Sequence, residues 1–317
     1  MTRQIKAGIV GAAGYTGGEL IRLLLHHPNV RIAFAHSRSN AGMPVYSIHT
    51  DQIGETELKF TSELRDDVDV VFLCVGHGEA KSILEQKTFP EDLRLIDLSQ
   101  DFRLSAHAFI ANRQFIYGLP ELNREQIKAS TAIANPGCFA TAIQLALLPI
   151  AASRSLNEVH TTGITGSTGA GQKLQSSVHF SWRANNIEAY KSLSHQHLHE
   201  VRETLTGLGA GDTTINLITW RGDFTRGIYT TSYTEFAGTI NDAYQLYEHY
   251  YDTHPFTTIS GKMINLKQVV NTNKCLIHLE KSGNKLIIHS AIDNLLKGAS
   301  GQAVQNMNLM FGLTETA

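Results

Sequence analysis

Short apolar runs broken by glycine turns and helical stretches organise the first part of the chain. Ile5–Val10 is a strand-type run, residues 11–18 are rich in glycine, and residues 19–25 carry an apolar helical face that stops at His26-His27-Pro28. Residues 30–35 give a second strand, so the order strand, glycine turn, helix, strand predicts a βαβ unit with two parallel strands. Strand-like runs at 68–75 and 93–98, with a helical stretch over Glu79–Gln86 between them, extend the alternation into a doubly wound sheet. After residue 138 the pattern changes to α+β: an apolar helix over 138–151, then strand candidates at 159–164, 213–219 and 230–236. The final stretch, 293–311, has helical periodicity, and its small residues Gly298, Ala299, Gly301 and Ala303 allow close packing on the first domain.

Composition narrows the class. At 317 residues the chain exceeds the usual single-domain range, and 42% hydrophobic with 18% charged residues excludes disordered and fibrous architectures. A net charge of -2 without a run of like charges argues against nucleic acid or a membrane surface as the principal partner and for a small molecule. No leader-type pattern opens the sequence and no apolar stretch approaches the roughly 20 residues of a membrane-spanning helix, so a cytoplasmic enzyme is expected. Three dispersed cysteines, Cys74, Cys138 and Cys275, do not make a disulfide framework or a zinc cluster.

The turn Gly11-Ala12-Ala13-Gly14-Tyr15-Thr16-Gly17 follows a strand and opens a helix, the context in which backbone amides at a helix start hold a pyrophosphate. Its spacing is GxxGxxG, and a merely tight βα turn is the alternative. About 20 residues on, where an NAD enzyme has an acidic residue against the ribose, the chain has Ser37-Arg38-Ser39. Arginine and two hydroxyls suit a 2′-phosphate, which favours NADP; a solvated surface loop is the other reading.

Asn135-Pro136-Gly137-Cys138 immediately precedes the apolar helix, so Cys138 falls in a first turn whose dipole favours a thiolate nucleophile. Gly137 there allows close approach of a substrate beside the sulfur. A small buried hydrophobe is the competing reading of Cys138, and it is the one adopted for Cys74 and Cys275. The run Ser194-His195-Gln196-His197-Leu198-His199-Glu200 offers an acid or base; if extended it puts three imidazoles on one face, which also suits a metal, but no further ligand lies near in sequence and no metal is assigned.

These residues resemble the N-acetyl-γ-glutamyl-phosphate reductase family, relatives of the aspartate-semialdehyde dehydrogenases. The likeness runs nearly end to end, through the glycine turn, Asp97-Leu-Ser-Gln-Asp-Phe-Arg103, Tyr117-Gly-Leu-Pro-Glu121, Asn135-Pro-Gly-Cys-Phe-Ala-Thr141, Gly166-Ser-Thr-Gly-Ala-Gly171, Thr225-Arg-Gly-Ile228 and Ile292-Asp-Asn-Leu-Leu-Lys-Gly-Ala299. The family's histidine motif is similar to H-x-H-x-P-E, which maps onto His195, His197 and Glu200, with His199 standing where proline is usual.

The resemblance implies an α/β protein with a Rossmann-type sheet and an α+β domain like that of glyceraldehyde-phosphate dehydrogenase. The expected division is a dinucleotide-binding domain over 1–137, completed by a C-terminal helix over 290–317, and a catalytic and oligomerisation domain over 138–289. It further implies a homo-oligomer, dimer or tetramer, with Cys138 as nucleophile and a histidine as acid/base, His197 before His195. Asn294 and Gly298 are expected near the nicotinamide, and the 167–171 loop, with Ser167 and Gly169, near cofactor or phosphate. Arg103 or Arg226 is a candidate to hold the phosphate or the carboxylate of the acyl-phosphate substrate, with an ordinary ion pair the alternative for each, and Asn135 is a further candidate contact. The expected reaction is NADPH-dependent reduction of N-acyl-γ-glutamyl phosphate through a cysteine thioester, the acyl cap being acetyl or succinyl. The rivals are a reductase of aspartyl or aminoadipyl phosphate and a non-catalytic NADP-binding protein.

Overall fold

The computed structural model describes residues 4–317 apart from 155, 157, 173 and 212. The chain divides into two compact units, Met1–Pro136 with Ala299–Ala317, and Gly137–Gly298. Residues 290–298 therefore belong to the second unit, and of the stretch read as helical only Ser300–Met310 forms the helix; residues 294–299 are a turn.

The first unit is built on β1 (Ile5–Val10), α1 (Tyr15–Leu25), β2 (Val30–His36), β3 (Phe60–Thr61), β4 (Val70–Leu73), α2 (Glu79–Gln86) and β5 (Arg94–Asp97). A small hairpin of β6 (Phe109–Ile110) and β7 (Arg113–Gln114) follows, then β8 (Ile116–Tyr117), α3 (Pro120–Ala129) and β9 (Ala132–Ala134). Seven strands lie in the order β3-β2-β1-β4-β5-β9-β8, and every pairing is parallel. The strands are apolar on both faces. Val70 and Phe72 of β4 enter one core layer with Leu20 and Leu24, while Val71 and Leu73 enter the other with Ala80 and Leu84. The last helix supplies Ala303 and Met307 to the first of these layers. Strand order turns at β1 and β4, and the loops that leave their carboxyl ends are where an open parallel sheet binds its ligand.

Helix α1 begins at Tyr15, four residues earlier than the apolar periodicity indicates, because Gly14 in an extended conformation caps it directly after the glycine turn.

The second unit opens with α4 (Cys138–Ala152) and β10 (Val159–Thr165), continues through α5 (Phe180–Arg183), β11 (Glu188–Tyr190), α6 (His197–Gly207), β12 (Ile215–Arg221) and β13 (Ile228–Glu235), and closes with α7 (Ile240–Tyr251), β14 (Thr257–Ser260), β15 (Cys275–Ser282) and β16 (Lys285–Ile292). The remaining helix, Ser300–Met310, is α8. The sheet runs β11-β12-β10-β13-β16-β15-β14 and mixes parallel and antiparallel pairs. Its alternation is visible in β10, where Val159, Thr161 and Thr165 are buried, and Thr162 is exposed. Ile218 of β12 and Tyr233 of β13, the strands on either side of β10, are exposed, and Tyr233 stacks on His160 at 4.9 Å.

Helix α4 is buried from Phe139 to Ala151, so its apolar residues run all round rather than along one stripe. Pro149 within it has no N–H for the Leu145 carbonyl. The hydroxyl of Tyr251 donates to that carbonyl at 2.5 Å, and the Tyr247 hydroxyl donates to the Ala146 carbonyl at 2.5 Å. Two tyrosines of α7 thus satisfy backbone acceptors in the middle of a buried helix.

Candidate active site

Cys138 is the first residue of α4 and half-buried; Cys74 and Cys275 are buried in their strands' surroundings, as packing residues are. Gly137 caps the helix in an extended conformation, no side chain caps it, and its first turn holds no acidic residue. The first-turn amides and the positive end of the dipole therefore act on the sulfur and on any oxyanion formed beside it.

Gly137 does not leave room for substrate. A Cβ built on it would lie 2.4 Å from Nε2 of His197, so the imidazole fills the space that a side chain would need. The Gly137 N–H donates to Oε2 of Glu200 at 2.9 Å. His197 and Glu200 reach the same short segment because they stand three apart on α6, one turn of one face.

The histidine run is not extended: α6 begins at His197, His199 is exposed, and only His195 and His197 are buried together. Their rings meet edge to face at 4.7 Å, and Nδ1 of His195 accepts the His197 backbone N–H at 3.2 Å. Phe139 and Tyr190 also pack edge-on against His195. Burial, and then the charge of Lys191, push the His195 imidazole down to about 4, so it is neutral at working pH.

The turn that ends the second unit packs against Cys138. A Cβ on Gly298 would lie 2.8 Å from Cβ of Cys138 and 2.7 Å from the Asn294 carbonyl oxygen, which excludes any larger residue. Asn294 is buried; its Oδ1 accepts the Gly227 N–H at 2.7 Å and its Nδ2 donates to Thr168 Oγ1 at 3.0 Å. That hydrogen bond joins it to the 167–170 turn carrying Ser167 and Gly169. Arg226 places Nε and Nη2 on the two carboxylate oxygens of buried Asp293, at 3.0 and 3.2 Å. Asp293 also accepts the backbone N–H groups of Asn271 and Leu295 at 2.7 and 2.8 Å, so the fork anchors this turn.

In the first unit, Gly11 has φ +77°, and a Cβ there would meet the Cys74 carbonyl oxygen at 2.3 Å. A Cβ on Gly17 would meet Ala12 Cα at 2.6 Å. Gly14 differs: its nearest neighbour would be the Gly11 carbonyl oxygen at 3.5 Å, an ordinary contact. Ala13, Tyr15 and Thr16 complete the turn, and α1 starts without a side-chain cap, its amides unclaimed by side chains. A nicotinamide dinucleotide fits this turn, since two glycines are needed by the fold itself while Gly14 leaves backbone open to a pyrophosphate. At the end of β2, Asn40 Nδ2 donates to both Ser37 Oγ and Ser39 Oγ at 3.0 Å, with Arg38 exposed between them. Arg103 is buried, its Nε and Nη2 donating to the carbonyls of Asn135 and Leu98 at 2.9 Å each. Asn135 in turn donates to the Ala299 carbonyl at 3.1 Å and accepts from Asn306 at 3.1 Å.

Three contributors were not singled out from sequence. Tyr190 lies in a segment without a local chemical signature; Asp293 stands in the 292–299 motif, where only Asn294 and Gly298 carry an expected role; Asn40 follows Ser39 and had only its polarity to mark it.

A cysteine at a helix start with an imidazole packed on its neighbour, in a mixed sheet that accompanies a parallel dinucleotide-type sheet, defines a semialdehyde dehydrogenase-type oxidoreductase. Residues 6–130 match the family model for the semialdehyde dehydrogenase NAD binding domain, and 138–294 that for the dimerisation domain. The chain is 55% identical to the N-acetyl-gamma-glutamyl-phosphate reductase of Christiangramia forsetii, covering 98% of this chain and 96% of the relative, and 52% identical to that of Flavobacterium johnsoniae, covering 98% and 97%. It therefore belongs to the N-acetyl-γ-glutamyl-phosphate reductase family. Among solved structures, aspartate semialdehyde dehydrogenase II of Vibrio cholerae, complexed with ASA, superposes with a TM-score of 0.76 at 17% identity over 98% of this chain and 99% of its own. The Candida albicans aspartate semialdehyde dehydrogenase with NADP gives 0.73 at 14% identity, over 97% and 98%. Both likenesses bear on the fold. Among the described residues no helix is long and apolar enough to cross a membrane.

Proposed function

We propose that the protein reduces N-acyl-γ-glutamyl phosphate to N-acylglutamate 5-semialdehyde and phosphate, with NADPH as reductant, in arginine biosynthesis. The observation that carries this reading is Cys138 at the start of α4 with His197 Nε2 packed against Gly137. A carboxylate resists hydride because its carbon is electron-rich; an acyl phosphate has a good leaving group.

His197 takes the proton of Cys138, and the thiolate adds to the acyl carbon. The C–O bond to phosphate then breaks, and phosphate leaves with the electron pair. The amides at the start of α4 stabilise the oxyanion of this addition. NADPH held at the glycine turn would supply the hydride that the thioester carbon accepts. His197 handles the proton of the thiohemiacetal oxygen as the C–S bond breaks, which releases the aldehyde and restores the thiolate. His195, neutral and accepting the His197 backbone N–H, fixes the start of α6 that carries the acid/base.

Ser37, Arg38 and Ser39 are the proposed site of a 2′-phosphate, and Gly11, Ala13, Gly14, Tyr15, Thr16 and Gly17 that of the pyrophosphate. Asn294, Gly298, Ser167 and Gly169 are proposed to face the nicotinamide end. Arg103, Arg226 and Asn135 are the proposed contacts to the substrate. The family's dimerisation domain over 138–294 supports a homo-oligomer.

Cys138→Ser tests the reading in the reverse direction, with semialdehyde, phosphate and NADP. The variant should lose at least about 10³-fold in phosphate-dependent NADP reduction and still bind NADP. A variant as active as the parent would place the chemistry at another residue, and no turnover by the parent itself would leave a non-catalytic NADP-binding protein as the reading.

A further inference from the structure

We propose that Arg183 and Arg221 form a subsite for a carboxylate of the substrate. Arg183 ends α5 and is 9% exposed; its Nε is buried without a hydrogen-bond partner, and its Nη2 donates to the Gly222 carbonyl. No acid pairs with it among the described residues. A buried guanidinium without a partner acid is costly, and burial, followed by the charge of Arg221, weakens its hold on the proton.

Arg221 supplies the second positive charge. Its guanidinium lies 4.4 Å over the Tyr190 ring, and Nη1 donates to Ser177 Oγ at 2.8 Å and to Glu188 Oε1 at 3.3 Å. Glu188 also accepts Trp182 Nε1 at 3.0 Å, so this one carboxylate serves both an indole and a guanidinium. Asp223 acts on Arg183 only through its field, and it already accepts the Asn185 N–H at 2.6 Å. Glu188 and Asp223 balance the two guanidiniums in charge, but only Arg221 has a carboxylate in contact, which leaves Nε of Arg183 as a donor that a further carboxylate takes.

Tyr190 relates the pair to the reacting centre. Its ring lies 5.9 Å from that of His195, which lies 4.7 Å from that of His197. The Cys138 thiolate is, after burial, the largest influence holding the Tyr190 phenol protonated, so sulfur and phenol share one environment. The subsite rests on the functional reading above for the place of the reacting carbon. An N-acylglutamyl group joined at that carbon presents a carboxylate from two sources: the α-carboxylate of its glutamate, or one carried by the acyl cap.

The test combines binding and kinetics for the wild type, Arg183→Met, Arg221→Met and Arg221→Lys. Calorimetric titration with N-acetylglutamate and N-succinylglutamate needs no turnover, so it judges the subsite even where the proposed reaction fails. Each Met variant should weaken binding about tenfold or more, and Arg221→Lys should restore part of it. In the reverse assay KM for the semialdehyde should rise with kcat and the KM for phosphate nearly unchanged. Equal losses for both caps assign the α-carboxylate; a loss at least tenfold greater for the succinyl compounds assigns the cap. Wild-type binding in both Met variants, or a higher KM for phosphate alone, would overturn the subsite. Absence of turnover by the wild type with both semialdehydes counts against the proposed function and leaves the binding comparison standing. Arg221 is half-buried in β12 and its variants keep the subsite testable if Arg183→Met fails to fold.

Discussion

His197 occupies the position that a side chain on Gly137 would take, with Nε2 2.4 Å from the place of its Cβ. Gly137→Ala should therefore move either the imidazole or the start of α4, and a displacement of about 1 Å costs on the order of 10²-fold in rate. The expected result is a folded protein with kcat lowered by roughly that factor and NADP binding retained; a variant with unaltered kcat would mean that His197 is not the acid/base.

The glycine turn separates a requirement of the fold from one of the ligand. Gly11→Ala puts a methyl group 2.3 Å from the Cys74 carbonyl oxygen at a positive φ, and it should destabilise by more than about 2 kcal/mol. Gly14→Ala meets an ordinary 3.5 Å contact and should unfold at the parent's urea midpoint, yet bind NADP at least about tenfold more weakly. Unchanged NADP affinity in Gly14→Ala would move the pyrophosphate off this turn.

Arg38 is exposed between two serines that Asn40 holds. Arg38→Ala should raise KM for NADPH about tenfold and leave that for NADH nearly constant, since only the former carries the 2′-phosphate. Equal effects on both cofactors would place the discrimination elsewhere.

His195 provides a dependence on pH whose sign is fixed by its environment. Burial and Lys191 bring it down to about 4, so below about 6.5 the unfolded chain binds a proton that the fold refuses. Its contribution is complete above that value and is lost as pH falls toward 4. Asp97 acts in the opposite sense, because burial pushes it up to about 7 and the fold keeps a proton that the unfolded chain releases. Comparison of the parent with His195→Gln cancels the Asp97 contribution. The variant should gain relative stability between pH 7 and pH 4.5, by about 2 kcal/mol in urea unfolding. A difference independent of pH would show His195 to titrate as an exposed imidazole does.

Local pattern was enough for a good part of this molecule. The βαβ opening, the glycine turn and the helix that starts at Cys138 were legible because each is set by short-range chemistry: short continuous apolar strand runs, glycine where φ is positive, and an uncapped helix start. The hairpin of β15 and β16 also left a signal, an alternating run on either side of Ser282-Gly283-Asn284, although it was not read as strands. The start of α6 was less legible, since three alternating histidines suit a strand as well as a helix; Glu200 decides it by reaching Gly137, 63 residues away.

What the sequence alone determined is the chemical inventory and its local setting: a thiol at a helix start, imidazoles and an acid in one run, and a serine-arginine-serine segment after the second strand. Tertiary structure alone decided which of these meet. His197 fills the space beside Gly137, Gly298 closes on Cys138, Asp293 takes the fork of Arg226, and Arg183 and Arg221 share Glu188 and Tyr190. The physical reason is that these contacts join segments tens of residues apart through steric fit and charge pairing, and neither leaves a period or a spacing in the chain for a sequence to display.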